Sequence, residues 1–311
     1  MSHPAEKEFA SDRVITIASL LYVSAISGFT VWHQGFLNVE AMFILAFLTA
    51  LAAGRTTLFL KDWIPPVLLT LGYEYCTGLV PHLNKSVNIT PMIDFDRRLF
   101  GEVPAITLQR AFFTPGVTQW QDKAASFVYL LHFVVPWMVA LLFWFRDRKY
   151  FKRYTTGMVI LSYASFLTYF LYPAMPPWMA GGQGHLPSIH RITVQVMQDA
   201  GFRISLPILF NYYNPTAAVP SLHAAYPLIS ALFLIRRFPR IGVPFLLYPL
   251  LMWLSVVYLG EHYVFDIVVG ALYAIVAYVA VEHGNSLWMA LRTRLRSSAT
   301  AESSLTGTPR H

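Results

Sequence analysis

Charge is scarce in this 311-residue chain: 13% of its residues are Asp, Glu, Lys or Arg, against 56% hydrophobic residues. An ordinary soluble domain carries about 25% charged residues, so that class is excluded. Cysteine is almost absent. Cys76 is the single one, which excludes an internal disulfide framework and leaves the redox compartment open; it reads as a packed core residue. The first apolar run is longer than a signal-peptide core and lacks an obvious cleavage site, so it is expected to be a retained helix. No internal repeat is visible.

What the chain has instead is long apolar runs. Taking roughly 20 predominantly apolar residues as one membrane crossing, eight candidates follow, at residues 14–32, 40–60, 63–82, 124–145, 154–173, 220–235, 244–260 and 263–283. The expected fold class is all-α, a polytopic membrane helical bundle of about eight transmembrane helices. The third span is the least regular, with Pro65 and Pro66 in its first turn and Glu74 in its middle. Proline is tolerated at a helix start, and Glu74 should face other helices. The net charge of +7 sits in short clusters between apolar runs, where it sets topology or meets anionic headgroups, so no nucleic-acid partner is expected. With the N-terminus inside, the inner segments hold sixteen of the 23 Lys and Arg, and the much longer outer segments hold the other seven. That bias places both termini on the cytoplasmic side. An N-terminal two-helix segment, 1–62, thus precedes a main membrane domain over 63–283. The tail, 284–311, opens on an amphipathic piece from Leu287 to Arg296 and reads as disordered from Ser297.

Two short motifs open apolar runs. Pro220-Ser221-Leu222-His223 starts the sixth span, and His262-Tyr263-Val264-Phe265-Asp266 starts the eighth. One complete helix separates them, so both lie on the same membrane face, here the outer one. Ionisable residues at such places are costly to keep near lipid and point to function. His262 and Asp266 are four apart, which sets them on one helix face. The carboxylate can take the proton of one imidazole nitrogen and leave the other as a nucleophile. His223 stands at a helix start, where unpaired N–H groups and the dipole favour an anion such as phosphate. It can protonate a leaving oxygen while His262 attacks from the other side, and Ser221 can add a hydroxyl hydrogen bond. The outer segments 83–123 and 174–219 are rich in Pro and Gly and are expected as lids or interfacial helices.

Ala218 to Ala225, followed 39 positions after His223 by His262-Tyr263-Val264-Phe265-Asp266, resembles the second and third motifs of the type 2 phosphatidic acid phosphatase (PAP2) superfamily. With Ser255 to Tyr263, it looks like the inositol phosphorylceramide synthase branch. Tyr172-Pro173-Ala174-Met175-Pro176-Pro177-Trp178 and Asp96-Arg97-Arg98-Leu99-Phe100-Gly101 are similar to further elements of that branch. The resemblance covers residues 90–283. It implies a six-helix core over spans three to eight and metal-independent transfer through a phosphohistidine, with no cofactor. Carried over by position, His262 is the nucleophile, Asp266 its orienting carboxylate, His223 the general acid and Ser221 a phosphate-loop residue. The superfamily's usual first motif, a lysine followed by Arg-Pro, is not evident, and Val256 replaces the arginine that commonly precedes the nucleophile by six positions. Arg110, Arg191 and Arg203 are then the candidates to meet phosphate charge, while Arg97 and Arg98 can bind headgroups.

Plainer readings stand beside these. His223 can be an interfacial cap, and His262 with Asp266 a structural pair. Two His and one Asp are also metal-ligand types, but no third histidine falls at ligand spacing, so no metal is expected. His82, His132, His185, His190 and His283 read as interfacial or core residues. The expected activity is transfer of a phosphoryl or phospho-headgroup from a membrane lipid substrate to water or to a lipid or polyol acceptor, phosphoinositol transfer included. The expected site is the non-cytoplasmic face of the plasma membrane. The alternative is a lipid transporter or flippase without bond cleavage, whose site would lie near the bilayer midplane on broken, repeated helices.

Overall fold

A computed structural model of the chain describes residues 54–201 and 214–305, with side chains to residue 284, together with Leu48 and Leu51. The expected span at 14–32 and most of that at 40–60 lie outside the described residues, as does Arg203. Among the described residues twelve α-helices follow in order: α1 Thr56–Leu83, α2 Thr90–Phe100, α3 Pro104–Phe112, α4 Trp120–Leu130, α5 Val135–Arg146, α6 Arg148–Leu171, α7 Pro177–Gly182, α8 Ile192–Asp199, α9 Leu222–Arg237, α10 Pro239–Phe245, α11 Leu247–Tyr258 and α12 Val264–Leu305. Among the described residues the only β-type pairing is a few isolated bridges. The all-α expectation therefore holds.

Counting α4 with α5 as one bent rod, and α10 with α11 as one rod, the expected spans three to eight correspond to six rods. The breaks have a local cause. A proline removes one i→i−4 bond and crowds the carbonyl four residues back. Pro136 does this to His132, and α4 gives way to a 3-10 turn, Leu131–Phe133, before α5 leaves at 45°. Pro249 does it to Phe245, where α10 ends. Among the described residues, two helices are long and apolar enough to cross a membrane, Pro239–Tyr258 and Val264–Gly284; the bent α4–α5 pair makes a third if it is one span. The other rods fall short of that criterion. α9 has only 16 residues, and α1 carries Glu74 and three internal prolines.

Two boundaries differ from expectation. α1 starts at Thr56 and runs through Lys61 and Asp62, which had been expected as a loop. The break falls instead at Gly54, whose φ of 65° suits a glycine turn. At the other end, α12 is helical to Leu305, so the tail is not irregular from Ser297.

α9 is the centre of the bundle, packed against α5, α6, α10, α11 and α12. Lipid is as apolar as leucine, so close packing and interhelical hydrogen bonds hold such rods together. Gly157 of α6 admits Ile229 and Phe233 of α9 to within 3.3 Å of where its Cβ would stand. Hydroxyl pairs stitch the rods: Tyr154 with Ser230 at 2.7 Å, Ser162 with Tyr226 at 2.6 Å and Thr168 with Tyr273 at 2.6 Å. Each contributes about 1 kcal/mol in such a setting. Ion pairs close one end of the bundle. Buried Glu282 meets Arg153 at 3.3 Å and Arg236 at 3.9 Å, and Asp62 accepts from Arg148 and Trp144. Glu282 lies 16 residues along α12 from Asp266, about 24 Å at 1.5 Å per residue, so the two histidine motifs occupy the opposite end.

Candidate active site

The Ser221 loop is docked directly on α12. The Ser221 N–H donates to the Asp266 carbonyl at 3.0 Å, and one turn further Gly270 lies so close that an added Cβ would stand 2.3 Å from the Ser221 carbonyl oxygen. Tyr169 of α6 donates its hydroxyl to the Pro220 carbonyl at 2.7 Å. Ser221 itself is the N-cap of α9, its Oγ accepting the Ala224 N–H at 3.2 Å. Such a cap takes one of the four free donors of a helix start. Among the described residues, the N–H groups of Leu222 and His223 have no acceptor, which leaves two donors and the positive dipole end beside the His223 ring.

This docking brings the two motifs together. His262 Nε2 lies 3.2 Å from His223 Nδ1, and His262 Nδ1 lies 3.2 Å from Asp266 Oδ2. Both His262 and Asp266 are buried. The route to the His–Asp contact differs from the expected helix-face pairing. α12 starts at Val264, so His262 precedes the helix and Asp266 is its third residue. The Asp266 carboxylate reaches back across the start, accepting the Tyr263 N–H at 2.9 Å as well as facing His262. That is half of a capping box. A second carboxylate completes the start: Asp96 of α2 accepts the N–H groups of Val264 and Phe265, each at 3.1 Å. Burial pushes the Asp96 carboxyl up to about 6 despite those two donors.

The chain of contacts fits one arrangement of protons. An ionised Asp266 accepts a hydrogen bond from the Nδ1–H of His262, which leaves Nε2 with its lone pair. That lone pair faces His223 Nδ1, which must then carry a hydrogen. Among the described residues, the buried His223 Nε2 has no partner. In that arrangement an unprotonated nitrogen and a proton-bearing nitrogen meet beside a helix start with free donors.

The proline-rich segment covers the same place. Ala174 pairs with Asn88 on one side and Ala217 on the other, and the Trp178 N–H donates to the Gly260 carbonyl at 3.0 Å. Gly260 has φ 76°, and a Cβ there would lie 2.8 Å from the His190 carbonyl oxygen, so only glycine fits. The 190–191 segment is held by Gln109 of α3, which donates to the carbonyls of His190 and Tyr258 and accepts the His190 N–H. Arg191 is thereby set beside the His262 motif: its Nε donates to Glu261 at 2.8 Å, and its guanidinium lies 4.8 Å from the Trp178 ring centroid. Of the other arginine candidates, Arg110 is engaged in an exposed pair with Glu102. Arg97 lines an open cleft of about 410 Å³ with Asn88, Asp94 and His185.

His132, expected as an interfacial or core residue, is part of the site. Its ring centroid is 4.1 Å from that of His223. No spacing rule links positions 132 and 223; the usable signals were an ionisable residue inside an apolar run and the proline four residues after it.

Comparison with known proteins agrees with this geometry. The family model described as the PAP2 superfamily matches residues 90–280. The chain is 25% identical over 292 residues to phosphoinositol dihydroceramide synthase of Bacteroides thetaiotaomicron, covering 90% of this chain and 93% of that one. It is also 25% identical over 255 residues to inositol phosphorylceramide synthase of Candida albicans, covering 77% of this chain but 52% of that longer protein. No solved structure gives a significant match. With most of the main membrane domain inside the family match, and the histidine motifs in contact within it, the chain belongs to the PAP2 superfamily.

Proposed function

We propose that this protein is a multi-pass membrane phosphotransferase that moves phosphoinositol from a phosphatidylinositol-type lipid to the hydroxyl of a ceramide-type lipid. The observation that carries the reading is the Asp266–His262–His223 chain of contacts at 3.2 Å each, in a protein alike over nearly its whole length to a phosphoinositol dihydroceramide synthase.

In the first half-reaction His262 Nε2 attacks phosphorus. A P–N bond forms, the P–O bond to the diacylglycerol oxygen breaks, and His223, entering the step as the imidazolium, gives that oxygen a proton and becomes neutral. In the second, His223 takes the proton of the acceptor hydroxyl, whose oxygen attacks phosphorus and releases His262. Asp266 stabilises the imidazolium character that develops on His262 without itself taking the proton. The free N–H groups of Leu222 and His223, the Ser221 hydroxyl and the Arg191 charge are the donors for the phosphate oxygens. Because the reaction is in line, the two nitrogens now in contact must part by about 3 Å to admit phosphorus and the leaving oxygen. The segment 173–187 shields the site from water, which favours an alcohol acceptor over hydrolysis.

In this reading the membrane is crossed eight times, with both termini cytoplasmic and the site on the non-cytoplasmic face of the plasma membrane. A test follows in detergent: headgroup-labelled phosphatidylinositol with and without ceramide or diacylglycerol, beside lipid phosphate substrates. Label passing to the acceptor lipid supports the reading. Release of free phosphate or phosphoinositol alone would replace it with hydrolysis, and lipid movement across liposomes without bond cleavage would replace it with transport.

A further inference from the structure

His223 is not isolated against the bundle wall. Four rings lie in sequence, supplied alternately by two helical segments. Tyr129 of α4 stacks on His223 with centroids 4.5 Å apart and planes 20° apart. His132, one turn after Tyr129 in the 3-10 break, meets His223 at 4.1 Å and 35°. Tyr226, one turn after His223 on α9, stacks on His132 at 5.3 Å and 21°. The far end is anchored, since the Tyr226 hydroxyl pairs with Ser162 of α6 at 2.6 Å. Residues three apart on a helix share a face, so the two segments interdigitate.

The break at Leu131–Phe133 makes this possible. It places His132 in the register that meets His223, and the proline four residues on, Pro136, removes the helical bond that would straighten it. The His132 Nδ1 atom is buried with no hydrogen-bond partner among the described residues. An imidazole kept there for hydrogen bonding would have been expected to find one. What the site uses is the face of the ring.

We propose that His132 is a positioning residue for the reaction: with Tyr129, it confines the His223 ring to one plane and leaves its edge free. This rests on the phosphohistidine reading above. Flat neighbours resist tilting out of plane but allow a ring to slide and turn within it. His223 needs that freedom, because its Nδ1 contacts the nucleophile when no phosphate is present and must swing to the leaving oxygen when phosphate separates the two nitrogens. A ring free to tilt would spend most of its time misdirected, and a misplacement of about 1 Å can cost roughly 100-fold in rate.

The test uses the full-length protein in detergent, with turnover of headgroup-labelled phosphatidylinositol followed in His132→Phe, His132→Ala, Tyr129→Phe and Tyr129→Ala. The two Phe variants keep a flat face and are expected to hold kcat within about threefold of the parent. The two Ala variants are expected to lose 10- to 100-fold in kcat with KM changed less than threefold. Restoration by phenylalanine separates a ring face from imidazole chemistry. If His132→Phe falls as far as His132→Ala, or if both Ala variants keep full kcat, the proposal is wrong. If His132→Ala fails to fold, judged by size-exclusion profile and thermal denaturation, the Tyr129 pair decides alone. His262→Ala is run alongside. Turnover retained there would remove the histidine chemistry itself, whereas an inactive His262→Ala beside unchanged stack variants would remove only the role of the stack.

Discussion

Gly270 of α12 lies against the carbonyl of Ser221, so near that a methyl group on it would stand 2.3 Å from the oxygen. The contact sets the distance between the two histidine motifs, because the Ser221 loop carries His223 and α12 carries Asp266. Backbone, not a flexible side chain, fills the space, and relief requires moving one motif off the other. Gly270→Ala is therefore expected to lower kcat by at least tenfold in the lipid transfer assay. Gly284, later on the same helix with no described atom within 4 Å of its Cβ position, is the control. Gly284→Ala should leave kcat unchanged and, on helix propensity alone, add up to about 1 kcal/mol of stability. Equal activity of the two variants would mean that this docking is not needed for the chemistry.

Asp266→Asn keeps the size of the side chain and removes the charge that holds the His262 tautomer. The carboxamide can present its NH2 to Nδ1, which favours the proton on Nε2, the nitrogen required as nucleophile. A loss of kcat on the order of 10³ to 10⁴ is expected, with KM nearly unchanged. The check is steady-state kinetics over a range of donor lipid. A loss carried mainly by KM would assign Asp266 to binding instead.

Arg191 is gripped by Glu261 on one side and rests over Trp178 on the other. Lysine cannot reproduce both a planar fork and a stacked plane. Arg191→Lys is expected to raise KM for the donor lipid roughly tenfold, and Arg191→Ala more, because the charge is lost too. Arg110→Ala, which breaks only an exposed pair with Glu102, should change neither constant. An unaltered KM in both Arg191 variants would place the phosphate charge elsewhere.

The Asp96 carboxyl, raised to about 6 by burial, gives a stability prediction with a defined sign. Below its unfolded value near 3.9 the group is neutral in both states. Between there and about 6 the unfolded chain ionises first, so folding binds a proton and stability falls as pH rises. Above about 6 both states are ionised and the loss is complete. Relative to Asp96→Asn, the parent should lose up to ~3 kcal/mol between pH 4 and pH 7, read as a pH-dependent difference in thermal midpoint. A difference that is flat with pH, or that grows in the parent's favour on going from pH 4 to pH 7, would contradict it.

Much of the site was legible in the sequence because its residues lie at short, regular spacings. His223 follows Pro220 and Ser221, and Asp266 follows His262 by four, so helix starts and a His–Asp contact could be placed from position alone. The same spacing concealed the manner of that contact. Four positions fit a helix face, but Asp266 reaches back over the helix start, because Asp96, 170 positions earlier, takes the next two N–H groups. The rods α10–α11 and α12 were legible from apolar length, whereas the breaks were not: Pro136 and Pro249 fall inside the expected spans 124–145 and 244–260. His132 was passed over for the same reason. Its place beside His223 depends on a bend, and a bend does not show in an apolar average.

The central claim is that His262 carries the transferred group. The most direct measurement incubates the purified protein with phosphatidylinositol labelled in the inositol ring, without acceptor lipid, quenches in alkali, and looks for label on the peptide containing His262. The account predicts one acid-labile, alkali-stable label on that residue, absent in His262→Ala and discharged when ceramide is added to the unquenched protein. Steady transfer by the parent protein with no label on His262 at any quench time, or undiminished transfer by His262→Ala, would contradict it.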